Sequence, residues 1–142
     1  MHSSLLLFLV FLPFFFAQTQ NEDLIDATKL FPQYTFSFKL YGGYLNLTTT
    51  KAFHYLFLES QKNPTTDPLI VWLNGGPGCS SLLGAFYENG PFLFKTDSDG
   101  FQDVMNKYAW NKYANVLYLE SPGGVRKNKI KLLYSSLLKK IL

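Results

Sequence analysis

The sequence predicts an α/β fold, and three observations carry that expectation. Residues 69–73 (Leu-Ile-Val-Trp-Leu) and 116–119 (Val-Leu-Tyr-Leu) are unbroken apolar runs with the composition of strands buried on both faces. The first run passes through a glycine-rich loop into residues 80–87, which read as a short helix. Upstream, short strands separated by polar turns suggest that the early part of the sheet is an antiparallel meander.

Each element follows from its residues. Residues 34–40 alternate aromatic or apolar side chains with polar ones, as a half-buried strand does. Gly42-Gly43 is expected to break that strand, and residues 44–48 resume the alternation. Residues 53–58 form the next strand, and 63–68 (Asn-Pro-Thr-Thr-Asp-Pro) form a turn-rich connector. Ser80 or Ser81 can cap the short helix, which Gly90-Pro91 ends. Residues 96–100 are polar and expected to be a loop, and Pro122-Gly123-Gly124 stops the last strand. There are no repeats.

A length of 142 residues fits one ordinary domain, and 47% apolar with 18% aromatic residues argues for a packed core over disorder. Part of that apolar content is expected to lie outside the fold. Residues 5–16 are a twelve-residue apolar run followed by Ala17-Gln18-Thr19-Gln20, the proportions of a secretory signal. Residues 1–19 are therefore expected to be a signal peptide, with the mature N-terminus between Gln18 and Asn21; the alternative is a buried N-terminal strand or helix. No other apolar stretch reaches the length of a membrane span, so none is expected.

Charge divides the chain at residue 125. Residues 1–125 hold seven lysines and all ten acidic residues, a net of −3, whereas 126–142 hold six basic residues and no acid. A nucleic-acid surface needs its basic patch on the folded body. The body is mildly acidic, so no nucleic acid is expected as a partner.

The loop after residue 73 is the most informative feature. Of residues 75–78, three are glycine and the other is Pro77. Glycine admits positive φ and close backbone approach, while Pro77 offers no amide hydrogen. Such a loop at the end of an inner strand can aim backbone N–H groups at a negative charge, as an oxyanion hole does. The alternative is a plain tight turn from strand to helix. Phosphate binding does not fit, because no Lys-Ser or Lys-Thr follows the glycines. Neither a cofactor nor a metal is expected.

Six blocks in order extend the argument: Tyr41-Gly42-Gly43-Tyr44-Leu45; His54-Tyr55-Leu56-Phe57-Leu58-Glu59-Ser60; the 72–81 segment; Glu88-Asn89-Gly90-Pro91-Phe92; Trp110-Asn111-Lys112; and Asn115-Val116-Leu117-Tyr118-Leu119-Glu120-Ser121-Pro122. Together they resemble the serine carboxypeptidases, which have the α/β-hydrolase fold. The resemblance covers roughly residues 30–125 and implies a partial α/β-hydrolase sheet, the N-terminal strands of an incomplete domain. Residues 20–125 are then its N-terminal part, and 126–142 a basic tail outside the family pattern.

The resemblance also implies roles. It gives the Gly76 amide as one oxyanion-hole donor. It gives Asn74, Gly75 and Glu88 as the groups that meet the free C-terminal carboxylate of a peptide substrate, with Trp72 walling the pocket. Two carboxyl groups at hydrogen-bonding distance cannot both stay ionised, so this arrangement implies a preference for mildly acidic pH and suits a secreted, vacuolar or lysosomal location. Cys79, the one cysteine of the chain, corresponds to one half of a family disulfide whose partner lies far downstream. Asn46-Leu47-Thr48 is a glycosylation sequon, whereas Asn63-Pro64-Thr65 has proline in the forbidden position. Glu120 also recurs in the family, without a role assigned to it.

The rest of the machinery is missing from these residues. A hydrolase of this class needs Gly-x-Ser-x-Gly, with an acid and a histidine after it. No such pentapeptide occurs, and the only histidines are His2 and His54, both ahead of the glycine loop. His54 is expected to be a packed strand residue. The tail places Ile130, Leu133, Tyr134, Leu137, Leu138 and Ile141 at helical spacing among lysines. It reads as an amphipathic surface helix or as out-of-frame sequence at a truncation. The leading expectation is a truncated serine-type carboxypeptidase that lacks its triad and is inactive. The rivals are a carboxypeptidase-like acyltransferase and a non-catalytic secreted protein whose tail binds a membrane or partner.

Overall fold

The computed structural model describes residues 22–76, 78–97 and 100–121. The expected signal peptide and basic tail lie outside the described residues. The described residues form seven strands: β1 (Leu24–Ile25), β2 (Leu40–Asn46), β3 (Ala52–Leu58), β4 (Leu69–Trp72), β5 (Phe92–Asp97), β6 (Gly100–Met105) and β7 (Asn115–Leu119). Five of them make one mixed sheet in the order β1-β2-β3-β7-β4, while β5 and β6 form a separate hairpin. Every pair in the larger sheet is antiparallel except β4–β7, which is parallel. The crossover between those two strands, residues 73–114, carries the glycine loop, a π-helical turn (Gly84–Glu88), the hairpin and a 3-10 turn (Trp110–Lys112).

One face of the sheet holds the core. Leu40, Leu58 and Val116 lie in register across it, as do Leu56 and Tyr118. They meet Leu30 of α1 (Ala27–Leu30), followed by Phe31, Phe38, Leu82, Ala85, Phe86, Phe92 and Phe94. Phe31 stacks on Phe92 with centroids 4.1 Å apart, and Phe86 on Phe94 at 4.9 Å. Each such buried ring contributes about 1.5–3 kcal/mol by leaving water, so this aromatic cluster holds the crossover against the sheet.

The structure departs from the sequence-based expectations at several points. Residues 34–39 are not a strand; β2 begins at Leu40. Their alternation has another cause, since Tyr34, Phe36 and Phe38 send rings into the aromatic cluster (Phe36–Phe38 5.8 Å, Phe36–Phe92 5.4 Å). Gly42 and Gly43 do not break β2 but pair with Leu56 and Tyr55 within it. A Cβ at Gly43 would strike the Asp23 carboxylate, so glycine there lets the chain around β1 lie close. Thr96, Asp97 and Gly100, expected in a loop, belong to strands: β5 and β6 pair from Phe92–Met105 through to Asp97–Gly100. The expected helix over 80–87 is shifted to its C-terminal part. The amides of Asn89 and Gly90 both donate to the Gly84 carbonyl (2.9 and 3.2 Å), which widens the turn to π-helical.

The two apolar strands differ in burial. β4 is not buried on both faces: Leu69, Val71 and Leu73 are 60%, 51% and 56% exposed, and only Ile70 and Trp72 turn inward. Among the described residues β4 is the sheet edge. β7 fits the expectation of two buried faces better: it lies between β3 and β4, with Val116 and Tyr118 fully buried.

Candidate active site

β4 delivers the chain to Asn74 at the mouth of the glycine loop. The loop takes two left-handed turns of backbone, Gly76 at φ 131° and Gly78 at φ 89°. Gly76 is required twice over, because a Cβ there would also sit 2.7 Å from Cys79 Sγ. Gly75 and Gly76 are exposed, so their backbone is open to a ligand. Cys79 is a free, exposed thiol.

Three of the residues singled out from sequence form one hydrogen-bonded chain. Trp72 Nε1 donates to Asn74 Oδ1 at 2.6 Å, and Asn74 Nδ2 donates to Glu88 Oε1 at 3.0 Å. The indole therefore fixes which way the Asn74 amide faces, and the amide fixes the Glu88 carboxyl. Glycine at 84 makes this arrangement fit, since a Cβ there would overlap the Trp72 indole. The outer face of Trp72 is closed by Trp110, which meets it edge-on at 5.2 Å. Asn74, Gly75, Gly76, Glu88 and Trp72 thus gather at the end of β4. His54 stands elsewhere, on β3 against Tyr44 (5.2 Å, edge-on).

A second layer of polar residues was not expected from sequence. Ser81 Oγ accepts from the Asn74 amide at 3.2 Å. Ser80 Oγ donates to Glu120 Oε1 at 2.6 Å, and the Leu82 amide lies 3.2 Å from Ser80 Oγ and 3.3 Å from Glu120 Oε1. Ser80, Ser81 and Glu120 are all buried. Tyr118 OH donates to Asn89 Oδ1 at 2.8 Å, beside Glu88, and the Asn89 carbonyl accepts from the Trp110 amide at 2.9 Å. Burial first, and then the negative charge of Glu88, hold the Tyr118 phenol well above the usual tyrosine range. The signal that could have exposed this layer is polar residues in apolar surroundings: Glu120 directly follows a strand that cannot leave it in water.

The arrangement can present backbone N–H groups to one anionic atom while an amide and a carboxyl meet a second anionic group. The serine carboxypeptidase family model matches residues 31–125. The chain belongs to the serine carboxypeptidase family.

Within that family the matching relatives are diverse. The segment is 56% identical over 89 residues to the lysosomal protective protein of Mus musculus, covering 63% of this chain and 18% of that protein. It is 52% identical over 102 residues to serine carboxypeptidase ctsa-4.1 of Caenorhabditis elegans, covering 70% and 21%. Over 126 residues it is 45% identical to serine carboxypeptidase-like 32 of Arabidopsis thaliana, covering 86% and 27%. The chain thus spans between 18% and 27% of the length of these relatives. Among solved structures, a prohormone-processing carboxypeptidase of Saccharomyces cerevisiae superposes with a TM-score of 0.58 at 24% identity, over 74% of this chain and 24% of that one. That likeness identifies the sheet as part of an α/β-hydrolase carboxypeptidase fold.

Proposed function

We propose that this serine carboxypeptidase segment supplies the oxyanion and carboxylate-binding part of an enzyme that removes C-terminal residues from peptides. The observation that carries the reading is the Trp72–Asn74–Glu88 chain beside the left-handed Gly76. In this reading the Gly76 amide stabilises the negative charge that develops on the scissile carbonyl. Asn74, the Gly75 amide and Glu88 bind the substrate's C-terminal carboxylate, and Trp72 walls the pocket. An acyl-ester donor has no free carboxylate to offer, so the Asn74–Glu88 pair favours a peptidase over an acyltransferase.

Residues 1–142 carry no Gly-x-Ser-x-Gly and no histidine after the glycine loop, which supports a reading in which they hold none of the triad. The reading is therefore of a truncated segment, residues 20–125 after a signal peptide at 1–19, inactive alone. Secretory or lysosomal residence is supported by the apolar run 5–16 and by the lysosomal protective protein among the relatives. Asn46, exposed at the end of β2, is the proposed glycan acceptor, and Cys79 the proposed half of a disulfide. Among the described residues no helix is long and apolar enough to cross a membrane.

The test is a graft in which this segment replaces its matched counterpart in the full-length mouse relative. The graft should cleave blocked dipeptides with a free C-terminus. Asn74→Ala should raise KM for them by about tenfold or more, the worth of a hydrogen bond to a charged group. Cleavage of C-terminally amidated peptides should change little. Equal losses on both substrates would remove the carboxylate role, and an inactive graft would remove the whole reading. Unchanged gel mobility of Asn46→Gln in secreted material would remove the glycan.

A further inference from the structure

Residues 75–79 connect two fixed points. At one end the Asn74 amide is held by Ser81 Oγ. At the other, Ser80 and the Leu82 amide converge on a single carboxylate oxygen, Glu120 Oε1. Glu120 is only 3% exposed, forty residues away in sequence, and its own amide donates to the His54 carbonyl at 2.9 Å. That bond roots it in the sheet next to β3. A buried carboxylate is costly unless donors meet it, and here the donors belong to the loop's far end. The path from the sheet to the loop is thus Glu120 to Ser80 and Leu82, then Ser81 to Asn74.

We propose that Glu120 is a positioning residue for the glycine loop, holding Gly76 in register through Ser80 and the Leu82 amide. The inference rests on the carboxypeptidase reading above for its catalytic consequence. A loop with left-handed Gly76 and Gly78 has little stiffness of its own, so its placement depends on these two clamps. The oxyanion exists only in the transition state, so a loosened clamp lowers kcat and leaves ground-state binding nearly intact. Full loss of an oxyanion donor costs about 10²–10³ in rate; a displaced donor is expected to cost about tenfold.

The test compares Glu120→Ala, Glu120→Gln and Ser80→Ala in the same graft, with kcat expressed per site titrated by a serine-reactive phosphonate. Hydrogen exchange of peptides covering residues 73–83 is followed in parallel. Glu120→Ala should lower kcat about tenfold, with KM within twofold, and speed exchange across 73–83. Glu120→Gln keeps an acceptor oxygen for both donors and should recover most of kcat and protection. Ser80→Ala removes one hydroxyl and should give a smaller effect of the same kind, about threefold, which decides the matter if Glu120→Ala does not fold. Unchanged exchange and kcat per titrated site in Glu120→Ala or Ser80→Ala would overturn the proposal. If the parent graft is inactive, the carboxypeptidase reading fails, and exchange at 73–83 still shows whether Glu120 holds the loop.

Discussion

Asn74 and Glu88, fourteen residues apart, are joined by a 3.0 Å hydrogen bond from the Asn74 side-chain amide to Glu88 Oε1. Because the Trp72 indole occupies Asn74 Oδ1, the amide can only donate towards Glu88. The pair is therefore a preset acceptor and donor set, built by the end of a strand and the end of a π-helical turn.

Glu88→Gln should change the pH dependence of the graft rather than abolish its activity. Glutamine still accepts from Asn74 through its oxygen and offers an N–H to a substrate carboxylate, but it cannot ionise. Two carboxylates side by side require one to be protonated, and the substitution removes that requirement. KM for free-carboxylate peptides should stay low as pH rises through neutrality. A KM–pH profile identical to that of the parent would exclude Glu88 from carboxylate binding.

Gly76→Ala should impair both folding and catalysis. The new Cβ meets Cys79 Sγ at 2.7 Å and holds a left-handed φ that alanine disfavours, a cost of about 1–3 kcal/mol. The graft variant should lose about 10²-fold in kcat if the amide leaves its oxyanion position. Wild-type kcat with only a lower melting temperature would show that this amide is not a donor.

Tyr118→Phe should destabilise by about 1–3 kcal/mol, because Asn89 Oδ1 is left buried without its donor. The pH sign is fixed by the direction of the shift. Tyr118 is raised in the folded state, so its contribution is complete below the ordinary tyrosine value near 10 and declines as pH climbs towards the folded value. Tyr55, pushed up to about 12 by burial and the Asp23 carboxylate, acts in the same direction. Denaturation followed from about pH 8 to about pH 11, a window around the reference tyrosine value, should show a shallower alkaline loss in Tyr118→Phe than in the parent. Parallel curves would show that Tyr118 does not titrate with unfolding.

Residues 20–142 expressed alone should not label with a serine-reactive phosphonate and should aggregate through β4. That strand is apolar, exposed on one face and paired on one side only among the described residues. Val71→Lys places a charge on the exposed face and should raise the soluble fraction, read by sedimentation. Stoichiometric labelling, or aggregation indifferent to Val71→Lys, would count against this account.

Much of this was legible in sequence for a simple physical reason: β3, β4, β7 and the glycine loop are local patterns. Leu69 to Trp72 must be a strand, and Gly75 to Gly78 must turn sharply. What was not legible depends on partners. Whether β7 is an edge or an interior strand is decided by β3 and β4, neither of them adjacent to it in sequence. The alternation of Tyr34, Phe36 and Phe38 looks the same whether the rings meet a strand or Phe92. Trp72, Asn74 and Glu88 were readable through the family pattern, whereas Ser80 and Glu120 meet only through the tertiary fold.

The parallel pairing of β4 with β7 sets a schedule for synthesis. Among the described residues, 69–72 have no sheet partner until 115–118 have left the ribosome, and only then can the loop that follows β4 be anchored to Glu120. Antiparallel β2 and β3, joined by a tight turn, can close long before. During translation the hydrophobic strand beside the glycine loop thus waits for its partner after β2 and β3 have paired. It is where a chaperone would act first, and where a stalled nascent chain would be most vulnerable to capture by another chain.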